Sequence, residues 1–275
     1  MEVVRTLAEL RAALADASGT ALVPTMGNLH EGHLSLVGIA RARGRPVVAS
    51  IFVNRLQFAP HEDFEKYPRT FERDRKLLEG AGCDLVFAPS DHEVYPEAQG
   101  FTVQPPPELG KILEGAIRPG FFAGVATVVS KLFNMVRPSV AVFGKKDYQQ
   151  LLVIEHMVRQ LHFPVEIVRA DTVRDASGLA LSSRNAYLSP VQLGQAAELN
   201  EALRRLAAAV RAGRTDWHSL EHEAEDFLRH HGWQTDYVAV RRRADLGKPP
   251  PANAGLIVLG AARLGSTRLI DNLEI

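Results

Sequence analysis

The stretch "VPTMGNLHEGH", residues 23–33, decides the fold, because it joins a short apolar run to a helical pattern through a loop with two glycines and two histidines. The apolar run predicts a buried strand that ends near Pro24, and we expect the helix to begin between His30 and His33. A strand that passes directly into a helix is typical of the βαβ unit. The loop then lies at the carboxyl end of a strand, where such folds bind their ligands.

Apolar runs alternate with helical patterns through the first two thirds of the chain. The runs are rich in valine and isoleucine and predict strands buried on both faces; they cover residues 20–24, 46–53, 84–89, 139–143 and 165–169. The helical patterns lie near residues 33–43, 70–81, 123–136 and 147–161. This alternation predicts an α/β fold, a Rossmann-like doubly wound parallel sheet with right-handed connections.

The pattern changes after about residue 172. Residues 188–213 predict one long helix, with Ser189 as N-cap and Gln192 at the third position. A second helix near 217–231 and three strand patterns separated by turns follow. We therefore expect a Rossmann-like domain over residues 1–172 and a smaller C-terminal α+β domain over residues 173–275.

Composition limits the class of partner. Lys plus Arg and Asp plus Glu are 32 each, so no global basic field favours nucleic acid or an anionic membrane. No apolar stretch approaches the roughly 20 residues of a membrane span, and the first residues lack the pattern of a signal peptide. The single cysteine, Cys83, excludes an internal disulfide framework. These features predict a cytoplasmic protein without nucleic-acid or membrane partners.

The histidine segment admits several interpretations. Backbone N–H groups at a helix start bind phosphate, and imidazoles there can donate hydrogen bonds to phosphate oxygens or, if protonated, offset developing charge. A zinc site of the HExxH kind needs a spacing of four, whereas His30 and His33 are three apart. The GxGxxG and P-loop patterns are absent. Structural caps remain an alternative for both histidines.

Two further segments carry polar groups after a strand. Residues 50–58 end in Asn54 and Gln57, whose neutral amides suit a carboxylate or hydroxyl that must be oriented and stay nucleophilic. Residues 142–151 place lysines at a helix start, where the helix dipole repels a cation unless an anion is bound. The alternative for residues 50–58 is a turn whose amides are solvated, and the alternative for residues 142–151 is a solvated pair of lysines.

The loop before the long predicted helix offers donors suited to phosphate. Ser182 and Ser183 supply hydroxyls, and Arg184 supplies a planar fork of N–H groups. The same residues are also ordinary helix-capping material. The local pattern leaves both interpretations open.

Several segments together resemble one family. "PTMGNLHEGHLSLV", "FGKKDYQQL", "YPRT", "SSRN" and the final "GAARLGSTRLIDNLEI" are similar to the pantothenate synthetases, within the nucleotidylyltransferase superfamily that carries the HxGH motif. The resemblance covers essentially the whole chain. It implies ATP-dependent condensation of (R)-pantoate with β-alanine to pantothenate, through a pantoyl adenylate and with release of AMP and pyrophosphate. It also implies that the domain over residues 1–172 binds the nucleotide and pantoate and that the domain over 173–275 covers the active site. Mg²⁺ with the ATP and a homodimer are further implications of the resemblance.

The resemblance implies roles for individual residues. Those expected to act in catalysis are His33, His30, Lys146 and Arg184. Those expected to bind ATP, besides these four, are Pro24, Met26, Gly27, Gly144, Asp147, Val173, Leu181, Ser182 and Ser183. Those expected to bind pantoate or β-alanine are Asn54, Gln57, Tyr67, Arg118 and Gln150. Asp74 is a candidate for holding Mg²⁺, with a helix-face position as the alternative.

Three positions depart from the family pattern. Arg55-Leu56 stands where Pro-Met is usual, Phe121 replaces a histidine, and Lys145 replaces a glutamate. These departures keep open that the protein is a catalytically silent nucleotide-binding module. A separate alternative is a nucleotidylyltransferase with a different, phosphate-bearing acceptor and no dependence on an amine.

Overall fold

The structure is a computed structural model that describes residues 1–59, 62, 64–250 and 255–275. Contacts between residues divide the chain into two compact units. The first contains Met1–Lys145 and Gln150–Asp171, and the second contains Lys146–Gln149 and Thr172–Ile275. The short piece Lys146–Gln149 thus groups with the second unit, although the sequence pattern places it between a strand and a helix of the first.

A six-stranded sheet forms the centre of the first unit. Every pair of neighbouring strands in it is parallel, and the order β1-β4-β3-β2-β5-β6 is that of a doubly wound sheet with an added edge strand. The α/β fold class predicted from the sequence is confirmed. The strands are β1 (Glu2–Val4), β2 (Ala21–Thr25), β3 (Val47–Ile51), β4 (Leu85–Phe87), β5 (Val140–Gly144) and β6 (Glu166–Ala170).

Helices connect these strands and continue into the second unit. Through Gln160 they are α1 (Leu7–Ala13), α2 (Glu31–Arg41), α3 (Phe71–Gly80), α4 (Asp91–Val94), α5 (Pro107–Gly110), α6 (Glu114–Ile117), α7 (Phe121–Val136) and α8 (Tyr148–Gln160). Beyond it they are α9 (Pro190–Gln195), α10 (Glu198–Arg211) and α11 (Trp217–His230). Short 3₁₀ helices cover Arg55–Gln57, Lys145–Asp147 and Ser183–Tyr187.

The sheet opens at the point where its strand order reverses. β2 pairs with β3 along its whole length, but with β5 only at Ala21 and Leu22. Pro24, two residues further on, has no N–H to donate to a neighbouring strand. The carboxyl ends of β2 and β5 are therefore not joined by a ladder. A crevice at this switch point is where open α/β sheets bind ligands.

The second unit packs helices against an antiparallel sheet of three strands, β7 (Gln234–Arg242), β8 (Leu256–Leu264) and β9 (Thr267–Glu274). A Cβ on Gly260 of β8 would lie 3.1 Å from a methyl group of Leu203, so α10 packs closely on the strand there. The capping box of Ser189 and Gln192 is confirmed. The single long helix is wrong: it is broken into α9 and α10 at Ala196–Ala197.

No helix in the described part of the chain combines the length and the apolar character that a membrane span needs.

Candidate active site

His30 and His33 form the N-terminal cap of α2. His30 is the N-cap, and its Nδ1 accepts a hydrogen bond from the N–H of Gly32 at 3.2 Å. His33, at the third helical position, accepts the backbone N–H of His30 on its own Nδ1 at 3.3 Å. This is the reciprocal geometry of a capping box, in which a residue of the third position reaches back to the N-cap. The spacing of three thus has a structural cause.

The cap also fixes the chemistry of both rings. A ring nitrogen that accepts a hydrogen bond carries no proton, so a neutral imidazole in this setting has its proton on Nε2. The two ring centroids lie 4.1 Å apart. The segment therefore holds two neighbouring Nε2–H donors at the end of β2. The hydrogen-bonding pattern fits the hydrogen-bond donors considered from the sequence.

Asp74 holds the loop that leads to these histidines. It is 1% exposed, and its Oδ2 and Oδ1 accept the N–H groups of Asn28 (2.8 Å) and Leu29 (2.9 Å). Thr70 donates a third hydrogen bond to Oδ2. Gly27 and Asn28 have positive φ angles of 80° and 51°, a conformation that turns successive N–H groups to one side.

Both oxygens of Asp74 are engaged by the loop, which favours the helix-face alternative over a role in holding Mg²⁺. The N–H groups of Asn28 and Leu29 bind this carboxylate. Asp74 is an internal anion that shapes the loop.

Asn54 and Gln57 lie together at the end of β3. Asn54 is 1% exposed, and its Nδ2 donates to Gln57 Oε1 and to the carbonyl of Gly124, both at 3.1 Å. Gln57 Nε2 in turn lies 3.1 Å from the sulfur of Met26. The structure thus brings three of the predicted site residues together. Of these three, only Gln57 and Met26 are partly exposed. Asn54 is buried and positions the side chain of Gln57 from inside the protein.

Arg118 supports the same turn from the outside. Its guanidinium makes a bidentate ion pair with Glu62 at 2.6 and 2.8 Å and donates to the backbone carbonyl of Gln57 at 3.2 Å. It also stacks over the ring of Phe121, 3.7 Å from the centroid. Phe121, which departs from the family pattern, therefore provides a cation–π surface for this arginine.

The remaining predicted residues of the first unit differ in exposure. Tyr67 is 5% exposed and packs edge-on against Phe58, so its ring belongs to the wall of the unit. Gln150 is partly exposed in the first turn of α8. Pro24 lies in β2, and Gly144 ends β5 with open space where a Cβ would be.

The second unit brings Lys146 and Ser182 together. They line one small cavity with Ala180, Asn200 and Asp271. The Lys146 side chain is 19% exposed, and its ammonium lies 3.9 Å from Asp147. Ser182 caps the 3₁₀ helix that carries Ser183 and Arg184, accepting the N–H of Arg184 on its hydroxyl at 3.2 Å.

A buried polar network that the sequence does not predict supports these residues. Arg174 makes a bidentate pair with Asp271, which is 4% exposed. The next residue, Asn272, donates its amide to the carbonyl of Lys146 at 2.8 Å. The loop between Arg174 and Ser182 is closed by backbone pairing of Leu181 with Val173. The closing segment of the chain contains Asp271 and Asn272, but its sequence does not show their roles, because their partners lie about a hundred residues away.

The other two departures from the family pattern make surface ion pairs. Arg55 pairs with Glu65, and both side chains are well exposed. Lys145 pairs with Asp171 at 2.8 Å. Exposed pairs contribute little to stability, typically below about 1 kcal/mol. Neither change removes a group from the site geometry described above.

Among the described residues, no group of three or more His, Cys, Asp or Glu side chains could hold a metal ion. Mg²⁺ prefers oxygen ligands and commonly binds through substrate phosphates and water, with one or two carboxylates. The donor set of the described chain therefore does not fit a resident metal centre.

Comparison with known proteins places the chain in a family. The model of the pantoate-beta-alanine ligase family matches residues 2–274. The pantothenate synthetase of Leptothrix cholodnii is 60% identical over an alignment of 286 positions, and that of Paracidovorax citrulli is 59% identical over an alignment of 281. Both alignments cover 100% of this chain and 100% of the relative.

Solved structures agree with this relationship. Pantothenate synthetase from Thermus thermophilus superposes with a TM-score of 0.95 at 49% identity, covering 100% of this chain and 99% of that one. Pantoate-beta-alanine ligase from Francisella tularensis, complexed with β,γ-ATP and β-alanine, gives a TM-score of 0.83 at 30% identity, with 100% and 97% coverage. The resemblance found in the motifs is confirmed, and the chain belongs to the pantoate–β-alanine ligase family.

Proposed function

We propose that the residues described above divide the work of the family reaction, the ATP-dependent condensation of pantoate with β-alanine through pantoyl adenylate. The protein is a ligase that forms an amide bond. The observation that carries the assignment of roles is the histidine cap of α2, because it provides two adjacent Nε2–H donors without requiring a charged ring.

The first step is transfer of an adenylyl group. A carboxylate oxygen of pantoate attacks the α-phosphorus of ATP in line, the bond to the bridging oxygen breaks, and pyrophosphate leaves with the electron pair. In our proposal His30 and His33 donate hydrogen bonds to phosphate oxygens and stabilise the charge that builds up on the leaving group. We assign the neutralisation of phosphate charge to Lys146 and Arg184, with the hydroxyls of Ser182 and Ser183.

The second step is amide formation. The neutral amine of β-alanine attacks the carbonyl carbon of pantoyl adenylate, the C–O bond to AMP breaks, and the amine loses a proton. We assign the orientation of pantoate to Gln57 and Gln150, because neutral amides hold a carboxylate without suppressing its nucleophilicity. In this proposal Asn54 and Arg118 act through Gln57, and the ring of Tyr67 forms part of the wall of the pantoate site.

Mg²⁺ enters this scheme as part of the MgATP substrate. Binding through the phosphates agrees with the absence of a three-ligand cluster among the described residues. The remaining ATP contacts that we propose are those implied by the family resemblance, from Pro24, Met26, Gly27, Gly144, Asp147, Val173 and Leu181.

An assay of AMP release tests the function. AMP should form only when ATP, pantoate and β-alanine are all present. Exchange of labelled pyrophosphate into ATP should require pantoate and no β-alanine, because it reports the first step alone. Exchange without pantoate, or nucleotide transfer to a phosphate acceptor without any amine, would instead support the nucleotidylyltransferase alternative.

We also propose a cytoplasmic homodimer. The support is the family resemblance, together with a single cysteine that is buried in the structure. Light scattering coupled to gel filtration should give twice the mass of the chain, and a single-chain mass at micromolar concentration would contradict the dimer.

A further inference from the structure

Tyr95 contacts the Asn54–Gln57 pair, although it lies outside every motif identified in the sequence. It follows the short helix α4, and its hydroxyl lies 2.7 Å from Asn54 Oδ1. The partners are 41 residues apart in the chain. Tyr95 belongs to the same unit as the residues that it contacts.

Two backbone groups establish which way the Asn54 amide points. The carbonyl of Gly124 can only accept, so the atom of Asn54 beside it is the nitrogen. The N–H of Leu56 can only donate, and it faces the oxygen at 3.4 Å. The Tyr95 hydroxyl meets that oxygen and must therefore donate its proton to it.

The orientation passes on to Gln57. Asn54 Nδ2 donates to Gln57 Oε1, so the amide oxygen of Gln57 is engaged from within the protein. The amino group of Gln57 lies on the other side, near the sulfur of Met26, which is a weak acceptor. A ligand oxygen competes easily with such a partner. Gln57 therefore presents a hydrogen-bond donor outward.

The Tyr95 ring is itself held in place. The Lys131 ammonium lies 4.7 Å from the ring centroid and donates to Gln99 at 2.8 Å. The ring of Phe52 packs beside it at a centroid distance of 6.1 Å. Burial raises the pKa of the Tyr95 hydroxyl, so it stays protonated and remains a donor.

We propose that Tyr95 is a positioning residue, which acts through Asn54 to keep the side-chain amide of Gln57 turned so that its amino group donates to an oxygen of pantoate. The inference rests on the proposed role of Gln57 in binding pantoate. Two hydrogen bonds, through Asn54, separate the Tyr95 hydroxyl from Gln57, so in this proposal it does not touch the substrate. Its loss should weaken pantoate binding without affecting ATP.

The test compares Tyr95→Phe with the wild type. The substitution keeps the ring and its packing and removes only the hydroxyl, which leaves Asn54 Oδ1 with the long bond from Leu56. We expect the KM for pantoate to rise about tenfold, the strength of one hydrogen bond, while the KM for ATP changes less than about twofold. Ser90→Ala is the control, because it removes the N-cap of α4 and loosens the same segment without touching the hydroxyl.

A double-mutant cycle with Gln57→Ala separates positioning from general damage. In the Gln57→Ala background, Tyr95→Phe should raise the KM for pantoate no further. Additive effects, an unchanged pantoate KM in Tyr95→Phe alone, or a parallel rise for all three substrates would overturn the proposal. An unchanged pantoate KM in Gln57→Ala would refute the role assigned to Gln57, and with it this inference.

The Gln57 side-chain amide supplies a measurement that needs no turnover. In protein labelled with ¹⁵N-glutamine, its NH₂ resonances should shift when pantoate is added to the wild type. In Tyr95→Phe the same pair should broaden or move before any ligand is added. Unchanged NH₂ resonances in that variant would show that Tyr95 does not set the orientation.

Discussion

At the scale of single residues, His30 and His33 each have a structural role and a proposed chemical role. A different ring nitrogen performs each role. Nδ1 closes the cap of α2, and Nε2 is directed away from it. The two tasks can be separated by substitution, because glutamine at the third position of a capping box also reaches back to the N-cap N–H.

His33→Gln should keep the fold and lose the chemistry. We expect turnover to fall by about two to three orders of magnitude, the usual loss for one preorganised donor, with a melting temperature near that of the wild type. His33→Ala should lose as much turnover and, in addition, about 1 kcal/mol of stability with the cap. Turnover and thermal unfolding of both variants check this, and wild-type turnover in His33→Gln would remove Nε2 from the mechanism.

Asp74 provides a second prediction at this scale. Asn at this position has one acceptor oxygen, so the N–H of Asn28 or Leu29 would face an amino group. We expect Asp74→Asn to lower the free energy of unfolding by about 1–3 kcal/mol and to reduce turnover, because the loop leads directly to His30. Glu72→Gln is the matched control, since Glu72 lies in the same turn of α3 and is 75% exposed.

Chemical denaturation and the AMP assay measure both effects. Equal stability of Asp74→Asn and Glu72→Gln would show that the buried carboxylate does not hold the loop.

The sequence predicts residues whose neighbours in the chain explain them. The histidine spacing, the amides after β3 and the lysines after β5 are predictable because each follows a strand in a recognisable pattern. The sequence does not predict the roles of Tyr95, Asp271 and Asn272, because the tertiary fold determines their partners. Asp74 is a metal candidate from the sequence, and only the folded loop reveals that the N–H groups of Asn28 and Leu29 turn towards its carboxylate.

At the scale of elements, strands are easier to predict than helix ends. β2, β3, β5 and β6 are short runs of valine, isoleucine and similar residues, and burial on both faces imposes that composition. The break between α9 and α10 has no such marker. Gly194 lies two residues before it, but the alanines and glutamines around it are strong helix formers, so local propensity still favours a continuous helix.

Gly124 shows how closely one element approaches another. A Cβ at this position of α7 would lie 2.2 Å from the carbonyl oxygen of Leu56 and 2.8 Å from the nitrogen of Gln57. The helix and the 3₁₀ turn are therefore in backbone contact. This contact fixes the distance between α7 and the turn that carries Gln57.

Gly124→Ala should destabilise the protein by about 1–3 kcal/mol through overpacking and raise the KM for pantoate, because the turn must move. Gly38→Ala is the control: Gly38 lies within α2, a Cβ there would have no neighbour within 4 Å, and alanine should stabilise the helix by about 0.5–1 kcal/mol. Urea unfolding and steady-state kinetics check both, and an equal gain in stability from the two substitutions would contradict the close contact.

At the scale of the whole molecule, Cys83 reports on the first unit. Its thiol is 4% exposed, and burial raises its pKa to about 11. The thiolate is the reactive form, so a thiol reagent at about pH 8 should label the native protein only as fast as the unit opens. Labelling rates at increasing urea concentration should follow unfolding measured by circular dichroism. Rapid labelling without denaturant would contradict the burial of Cys83.

The grouping of Lys146–Gln149 with the second unit bears on when the protein becomes competent during synthesis. The carbonyl of Lys146 is held by Asn272, and Tyr148 is 1% exposed with its hydroxyl 3.3 Å from Glu274. A nascent chain that has left the ribosome as far as β6 already contains Lys146. It still lacks β9, whose Asn272 holds the carbonyl of this lysine. We therefore expect translation intermediates stalled before β9 to collapse without gaining affinity for nucleotide, so that ATP is not consumed by half-made enzyme.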